Sequence, residues 1–396
     1  MFPWAITRVT RQARSLPSTL LTKSRPLHPN PIEARRALLA WFRRRARPLP
    51  WRQNKDAYSV WLSEMMLQQT QVDSVVPYFI RFVRAFPGFK PLAQARLERV
   101  LELWSGLGYY RRARNLHLAA QRVVRDFGGA FPFSYQEARS LPGVGDYTAR
   151  AVLSIAYNQP YAVVEGNVAR VVSRLRMLRG NLHQQKFRRA LTEELESIFS
   201  RRQPGNFNQA VMELGQAICV SRAPKCPHCP LQRMCQAHCA GSPEAYPEPR
   251  PRRASETRYL ATVVLRRARN GGGYVTNAEV ALGRGLDEGL MDGLWNFPAA
   301  FGGSPDEALS RLQARLLSMT AGNVRWETRS GLVLPVTQLR HSITYRSIIV
   351  DIYAARVRGS MAKSPLRWFA VSRLPRSAVS SLARKIYREE CCSPSS

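Results

Sequence analysis

The sequence predicts a chain of two domains, a mainly α-helical domain followed by a smaller α+β domain. Apolar residues recur at helical spacing from Pro31 to about Ala240. The next segment, GSPEAYPEPRPRRASET at 241–257, is rich in proline and charge, which indicates a linker. Beyond it, the β-branched runs LATVVL at 260–265 and IIVDIY at 348–353 predict strands. The 396 residues are enough for two such domains with separate cores.

Five segments follow from this pattern. A basic tail over residues 1–30 precedes the helical domain over 31–240, and the linker over 241–257 leads to the α+β domain over 258–375 and a C-terminal tail over 376–396. The first tail holds no Asp or Glu, which is typical of a mitochondrial presequence, but a disordered basic tail or a misassigned start codon explains it equally well. We therefore expect the cytoplasm, beside the nucleoid, for a bacterial protein, and the nucleus or mitochondrion for a eukaryotic one.

Positive charge dominates the chain, since 60 Lys and Arg stand against 27 Asp and Glu, a formal net charge of +33. A GC-rich genome explains the preference for Arg over Lys better than it explains this excess. So large an excess indicates a polyanionic partner, most simply nucleic acid. No apolar run approaches the roughly 18 residues of a membrane-spanning helix, so no membrane partner is expected. We also expect a monomer.

Local signals subdivide the helical domain. Helical periodicity runs through Ile32–Trp41 and continues over Val60–Pro77. Ser134 and Glu137 form the S-x-x-E pattern of a capping box, which predicts a helix start. Asp146 is the predicted N-cap of the next helix. Two helices are therefore expected to flank the short sequence LPGVG.

The LPGVG loop contains two glycines, Gly143 and Gly145, between those helices. Such a loop presents unpaired backbone N–H groups and the positive end of a helix dipole, a combination that binds phosphate. A dinucleotide-binding fingerprint would need a preceding strand and a third glycine, and an ordinary helix C-cap would explain only one glycine. The pattern therefore favours a helix-hairpin-helix that grips a DNA backbone without reading its sequence.

Two acidic residues are candidates for catalysis. Glu64 lies inside an apolar helix beside Met65, and a carboxyl group in such surroundings acts as an acid near neutral pH because its pKa is raised. Glu165 follows an apolar run and precedes Gly166, at the start of a helix. The competing interpretations are a glutamate on a solvated helix face and a negative charge favoured by the helix dipole.

Four cysteines lie close together near the end of the helical domain. Cys219, Cys226, Cys229 and Cys235 have the spacing C-x6-C-x2-C-x5-C, which suits metal binding in a reducing compartment better than a disulfide framework. Four thiolates bind either zinc or a [4Fe–4S] cluster. The spacing does not decide between these two.

Taken together, these features resemble the MutY-type adenine DNA glycosylases, which belong to the helix-hairpin-helix base excision repair glycosylases. The resemblance covers about residues 49–240 and is weaker beyond. Its motifs are PWR at 50–52, VWLSEMMLQQTQ at 60–71, GLGYY at 106–110, LPGVG at 141–145, Gly166-Asn167 and the four cysteines. It implies a mainly α helix-hairpin-helix glycosylase domain with an iron–sulfur loop at 219–235, and a C-terminal α+β Nudix-like domain. It further implies a [4Fe–4S] cluster, and double-stranded DNA with adenine opposite 8-oxoguanine or guanine as substrate.

The resemblance also implies catalytic roles. Glu64 matches the family's acid, which protonates the departing adenine. Glu165 and Asn167 fall on the family's Asp-Gly-Asn motif, so that Glu replaces Asp as the anion that stabilises the sugar cation. Tyr147 stands where relatives that also cut the DNA backbone carry a lysine. Because a phenol cannot form a Schiff base, the chain is expected to be monofunctional.

Further positions match residues that contact DNA in the family. Arg52 matches a contact near the extruded adenine, Gln69 and Thr70 match the surface that faces the lesion, and Tyr109 matches an aromatic wedge that helps to open the duplex. These roles are implied by the resemblance alone.

The second domain is similar at LWNFP, residues 294–298, to the start of a Nudix-like domain. The helix at 305–317 lacks the paired glutamates that hold Mg²⁺ in a Nudix hydrolase, so a recognition module is expected. The family's lesion-sensing tripeptide falls on 343–345, with Thr344 and Tyr345 as the residues able to contact the lesion.

Three alternatives remain open. One is an endonuclease III-like glycosylase for damaged pyrimidines. Another is a catalytically impaired mismatch-binding protein, because Glu165 replaces Asp. The last is a Nudix nucleotide hydrolase.

Overall fold

The computed structural model describes residues 30–249, 254–267, 279–284, 294–320, 324–343, 345–357, 365–376 and 379–391. The first part is helical, as expected. Its helices are α1 Pro31–Arg45, α2 Ala57–Leu67, α3 Val72–Ala85, α4 Phe89–Gln94, α5 Leu97–Trp104, α6 Arg111–Asp126, α7 Tyr135–Ser140, α8 Asp146–Tyr157, α9 Gly166–Arg176, α10 Gln185–Ile198, α11 Pro204–Ala217 and α12 Gln236–Cys239. Within the described ranges, no helix is both long and apolar enough to cross a membrane.

The helical domain has two hydrophobic cores rather than one. The larger core joins α2 to α8 around buried residues such as Trp61, Phe82 and Trp104. The other joins α1 with α9, α10 and α11 around Phe187 and Phe207. Long side chains that would otherwise be exposed are removed from water in both, and this burial is the main driving force for folding. The boundary between the cores leaves room for a site.

Two local expectations are wrong in detail. The predicted helix over Val60–Pro77 is two helices, α2 and α3, because Gln69 takes a left-handed φ of 57° and ends helical geometry between them. The N-cap of α8 is Gly145, while Asp146 is the first helical residue and forms an ion pair with Arg150. The break matters because it exposes Gln69 beside the end of α2.

The predicted helix start at Ser134 is confirmed, but the capping box is only half formed, because Glu137 reaches the Ser134 hydroxyl rather than its backbone N–H. The backbone N–H of Glu137 donates to Ser134 Oγ at 3.2 Å, and Ser134 Oγ lies 2.6 Å from Glu137 Oε2. One of the unpaired N–H groups at the helix start is satisfied in this way. The helix α7 therefore leads into the LPGVG loop in a defined direction.

The second domain is α+β, as predicted, and is built on one mixed sheet. Its elements are β1 Glu256–Arg267, β2 Glu279–Leu282, β3 Ala299–Gly302, α13 Pro305–Thr320, β4 Val324–Trp326, β5 Thr337–Ile343, β6 Arg346–Val357, β7 Arg367–Ala370 and α14 Ser381–Cys391. The strand order is β4-β6-β1-β2-β7, with β3 also paired to β1 and β5 to β6. The central pair, β1 and β6, is parallel, with Thr262 opposite Ile352. Both faces of the central pair are covered by apolar side chains, as parallel strands require.

The predicted C-terminal tail over 376–396 needs correction. Residues Ser381–Cys391 form α14, whose Leu382, Ala383 and Ile386 are buried in the core of the second domain. The segment has three apolar residues at helical spacing, which is enough to bury one face against a sheet. The helix therefore belongs to the domain.

The predicted linker over 241–257 is shorter than expected. Tyr246 is buried against the helical domain, and its carbonyl accepts a hydrogen bond from Arg174 Nε at 2.9 Å. Glu244 accepts from the backbone N–H of Ala223, and β1 already begins at Glu256. The proline-rich composition indicated a free segment, but these long-range contacts fix its first part.

Candidate active site

A cavity of about 480 Å³ lies where the two helical cores meet. Its wall combines side chains from α2, α8, α9 and α11 with those of the segments before α2 and α3. The polar and aromatic residues that matter for chemistry are Arg47, Trp51, Arg52, Glu64, Tyr147, Glu165, Asn167, Arg170, Gln209 and Glu213. Pockets of this size accept one small aromatic group with its sugar. All four predicted catalytic residues are among them.

Glu64 is held on the buried face of α2. This helix is apolar on almost all sides, so that Glu64 is only 6% exposed. Burial raises the pKa of Glu64 to about 7, and the charge of Glu165 adds to the rise, while the hydrogen bond from Tyr147 and the charge of Arg52 oppose it. The carboxyl group therefore carries a proton in a large fraction of molecules at neutral pH. The solvated-face interpretation of Glu64 is wrong.

Tyr147 orients this carboxyl group. It lies in the first turn of α8, directly after the LPGVG loop, and its Oη donates to Glu64 Oε2 at 2.6 Å. Burial, and then the charge of Glu64, raise the pKa of Tyr147 well above its ordinary value. The phenol is therefore neutral and is a permanent donor. With one carboxyl oxygen occupied by Tyr147, the other oxygen of Glu64 remains to carry the proton.

Glu165 is the N-cap of α9. Its Oε1 accepts from the backbone N–H of Val168 at 2.9 Å, and its Oε2 accepts from Asn167 Nδ2 at 3.0 Å. Burial raises the pKa of Glu165, although these hydrogen bonds and the charge of Arg170 oppose the rise. The side chain is therefore a helix cap and also lines the cavity that Glu64 enters. The longer side chain of Glu is thus accommodated at this position.

Asn167 begins a chain of polar contacts that leads away from the cavity. Its Oδ1 accepts from Arg170 Nη2 at 2.7 Å. Arg170 in turn donates to the carbonyls of Gly215 and Cys219, each at 2.7 Å. The orientation of Glu165 is therefore linked, through two side chains, to the backbone of the first clustered cysteine.

On the opposite wall lie three residues that the sequence pattern did not single out, Arg47, Gln209 and Glu213, together with the predicted Arg52. Glu213 on α11 is buried, and its Oε2 accepts from Arg52 Nη2 at 2.9 Å while Arg47 binds its other oxygen. Burial alone would raise the pKa of Glu213, but the two arginines outweigh it and hold the pKa below its ordinary range. Arg52 Nε also donates to Gln209 Oε1 at 3.1 Å. A polar pair at i and i+4 on an otherwise apolar helix was the available signal.

The two glycines of the LPGVG loop serve different purposes. Gly143 has a φ of 76°, and a Cβ on it would lie 2.8 Å from Asn115 Cβ and 2.9 Å from Met65 Cε. Gly145 has an ordinary φ of −85°, and among described atoms none lies within 4 Å of its would-be Cβ. The α8 N-terminus has no side-chain cap. Packing against Asn115 and Met65 therefore requires glycine at 143. Gly145 instead leaves open space over the backbone N–H groups at the start of α8.

One buried arginine fastens two loops, of which the loop after α2 lines the cavity through Thr70 and Gln71. Arg112 donates to the carbonyl of Gln68 at 2.6 Å and to Thr70 Oγ1 at 3.0 Å, and also to the carbonyl of Gly108 at 3.2 Å. Gln69 and Tyr109, the predicted DNA contacts on these loops, both have left-handed φ angles. Tyr109 is 48% exposed, so it is not a core aromatic residue.

The four clustered cysteines line one small cavity near α9 and α12. Arg174 closes it from one side, since its Nη1 lies 3.4 Å from Cys219 Sγ while its own carbonyl lies 3.4 Å from Cys235 Sγ. Across the described part of the chain, no three Cys, His, Asp or Glu side chains converge closely enough to chelate a single metal ion. The four thiols therefore share one cavity.

The second domain contributes less to the predicted site. Thr344 lies outside the described residues. Tyr345 lies just before β6, where its ring faces the guanidinium of Arg346 at 5.4 Å from the centroid. On α13, Glu307 is used by the backbone N–H of Gly303 and by Arg311. Both of these contacts are local to α13 and the turn that precedes it.

The chain is similar to several known proteins. Residues 62–197 match the family described as HhH-GPD superfamily base excision DNA repair protein. Adenine DNA glycosylase of Rattus norvegicus is 32% identical over an alignment of 411 positions, which covers 89% of this chain and 77% of the rat protein. Adenine DNA glycosylase of Buchnera aphidicola is 43% identical over 211 residues, or 53% of this chain and 60% of that protein. The structure of a thermostable thymine-DNA glycosylase has 25% identity and a TM-score of 0.46, and covers 52% of this chain and 95% of that one.

The helical fold, the glycine-rich hairpin and the buried carboxyl pair therefore define a DNA glycosylase of the helix-hairpin-helix superfamily. Among its members, the rat relative matches along nearly the whole chain, second domain included. The chain belongs to the adenine DNA glycosylase family.

Proposed function

We propose that this protein is a monofunctional glycosylase that removes adenine from double-stranded DNA when adenine lies opposite 8-oxoguanine or guanine. The observation that carries the proposal is that Glu64, bound by Tyr147, and Glu165 line the same cavity. An acid and an anion in one pocket are the two groups that hydrolysis of a purine N-glycosidic bond needs. The cavity is too small to admit a duplex, so the target nucleotide must leave the base stack before it can enter.

At the base, Glu64 acts as a general acid. Its free oxygen delivers a proton to a ring nitrogen of adenine, which makes the base a neutral leaving group. Arg52, Gln209 and Glu213 on the far wall supply both donors and an acceptor for the polar edge of the base. Glu213 is already paired with two arginines, so its negative charge is balanced within the wall of the cavity.

At the sugar, bond cleavage leaves an oxocarbenium-like cation. Glu165 stabilises this cation, either by its charge or through a transient covalent bond. Asn167 and Val168 hold the carboxylate, so that it needs little rearrangement during the reaction. Water then adds at C1′, and the product is an abasic site.

Whether the enzyme cuts the DNA strand is a direct test of the proposed function. Tyr147 occupies the place where a lysine would form a Schiff base, and a phenol cannot do so. A single-turnover reaction on an adenine:8-oxoguanine duplex should yield broken DNA only after alkali treatment. Cleavage without alkali would contradict the monofunctional assignment, and activity only on a thymine-glycol duplex would favour the endonuclease III-like alternative.

We further propose that the cysteines hold a [4Fe–4S] cluster. The four thiols line one cavity, and four thiolates are the ligand set of a [4Fe–4S] cluster, which the resemblance to the family favours over zinc. Cys219, Cys226, Cys229 and Cys235 would hold it, and its contribution would be to fix the loop after α11. The chemistry described above uses no electron transfer.

Metal analysis tests the cluster. Cys229→Ser should lose most of its iron and acid-labile sulfide, because one of four ligands is replaced by a weaker one. Cys239→Ser is the matched control, since Cys239 is exposed and lies outside the cysteine cavity. Stoichiometric zinc without iron in the native protein would contradict the proposal.

The pH dependence of excision follows from Glu64. Since its pKa is about 7, the protonated fraction falls above neutral pH, and the single-turnover rate should fall by about tenfold per pH unit well above it. In Tyr147→Phe, the hydrogen bond that lowers this pKa is lost, so the falling limb should move to higher pH. Tyr157→Phe on the same helix removes a hydroxyl bound to Phe131 instead, and should leave the profile unchanged. A pH profile identical in all three proteins would remove Glu64 from the acid role.

A further inference from the structure

The loop that carries Tyr109 is held from several directions. Tyr78 Oη donates to the carbonyl of Ser105 at 3.2 Å, and Trp104 Nε1 donates to the carbonyl of Gly108 at 3.0 Å. Gly106 has a φ of 103°, and a Cβ there would collide with the Tyr78 hydroxyl. We call residues 105–110 the wedge loop. It is rigid at its base, although Tyr109 points into solvent.

One of these contacts comes from the second domain. Arg384, on α14, donates from Nη2 to Ser105 Oγ at 2.6 Å. The Nε of Arg384 is buried, and none of the described groups accepts from it. A charged side chain that is partly withdrawn from water depends on the partners that it has. The hydrogen bond to Ser105 therefore holds the guanidinium group of Arg384 in place.

The next residue on α14 points to a different element. Lys385 Nζ donates to the carbonyl of Arg340 on β5 at 2.7 Å. This strand pairs with β6 and ends beside Tyr345. One helical turn thus contacts the wedge loop on one side and the β5–β6 hairpin on the other. Because Leu382, Ala383 and Ile386 fix α14 in the domain core, the two contacts cannot move independently.

We propose that α14 is a coupling element, in which Arg384 positions the wedge loop for base extrusion and Lys385 ties the same helix to the β5–β6 hairpin. This inference rests on the proposed function, because it assigns to the second domain a part in opening the duplex. When DNA engages the hairpin, α14 is steadied and the wedge loop is held in the geometry that Tyr109 needs. Arg384 is a positioning residue and does not touch the reacting atoms.

Substitutions at both ends of the bond test the coupling. Arg384→Gln and Ser105→Ala should each lower the single-turnover rate on an adenine:8-oxoguanine duplex by about five- to tenfold, and the double variant should lose no more than either single one. Arg388→Gln removes the same charge from an exposed position of the same helix and is the matched control. Base extrusion is followed separately by the fluorescence of 2-aminopurine at the target position, which should rise more slowly in the two variants.

Activity with two different bases opposite the target adenine distinguishes coupling from a purely structural role of Arg384. Because the resemblance places lesion recognition on residues 343–345 of this hairpin, Arg384→Gln and Lys385→Gln should lose more activity when adenine lies opposite 8-oxoguanine than when it lies opposite guanine. Additive losses at 105 and 384, or an equal loss in Arg388→Gln, would overturn the proposal. If native protein excises adenine but Arg384→Gln behaves like it, the coupling fails while the function stands. If native protein excises no adenine, the proposed function itself fails.

Discussion

Glu64→Gln is expected to bind an adenine:8-oxoguanine duplex with native affinity and to form abasic product about a hundred- to ten-thousandfold more slowly, as loss of a general acid predicts. Gln has nearly the same shape as Glu and can still accept the hydrogen bond from Tyr147. It has no proton to give to the departing base. The measurement is single-turnover product formation after alkali treatment, together with a binding titration of the same duplex.

Stability provides the control for this variant. The pKa of Glu64 is about 7 in the folded protein, above its ordinary value of 4.5. Protonated Glu64 therefore stabilises the fold fully below pH 4.5, and this contribution is lost as the pH rises through about 7. The neutral amide does not undergo this loss. Glu64→Gln should therefore unfold at the same or a higher temperature than the native protein at pH values above about 7. Near-native excision by this variant would exclude Glu64 as the acid.

Glu165→Gln is expected to lower the excision rate by about a hundred- to a thousandfold, which is the range for removal of one preorganised charge from a transition state. The amide oxygen can still cap α9 by accepting from Val168, so the helix start should persist. The anion that faces the sugar cation is gone. In addition, the pKa of Glu64 should fall, because the neighbouring negative charge that helps to raise it has been removed.

Glu165→Asp distinguishes an adapted enzyme from an impaired one. Asp is a good N-cap residue, so folding is not at risk. The native hydrogen bonds are matched to the longer side chain, and a shift of about one methylene should cost up to about a hundredfold in rate. If Glu165→Asp were instead faster than the native protein, the backbone would be suited to Asp and the native protein would be the impaired mismatch binder. The unfolding temperatures of both variants complete the test.

Much of the local structure was predictable because its causes are local. A helix start needs only Ser134 and Glu137 at the right spacing, and a left-handed turn needs only a glycine such as Gly143. The fold class and the division into a helical and an α+β domain likewise follow from hydrophobic periods of 3.6 and 2 residues. These features depend on neighbours in sequence, which a single sequence contains in full.

Other features could not be predicted, because their causes are contacts between distant segments. The break at Gln69 is stabilised by Arg112 from another helix, which binds the carbonyl of Gln68. The apolar residues of α14 gained a structural role only by packing against the sheet. The pairing of Glu213 with Arg47 and Arg52 joins segments more than 150 residues apart, so the sequence pattern did not single it out.

The sequence by itself determined the order of the motifs, the residue types available for chemistry and the class of protein that carries them. The tertiary structure alone decided that Glu64 and Glu165 share one cavity, that Tyr147 binds the first of them, and that the second domain reaches Ser105. The physical reason is that the functional groups of a side chain are fixed by its covalent structure, whatever its surroundings. Burial, electrostatic coupling and hydrogen-bond geometry are set by the residues that packing brings around it.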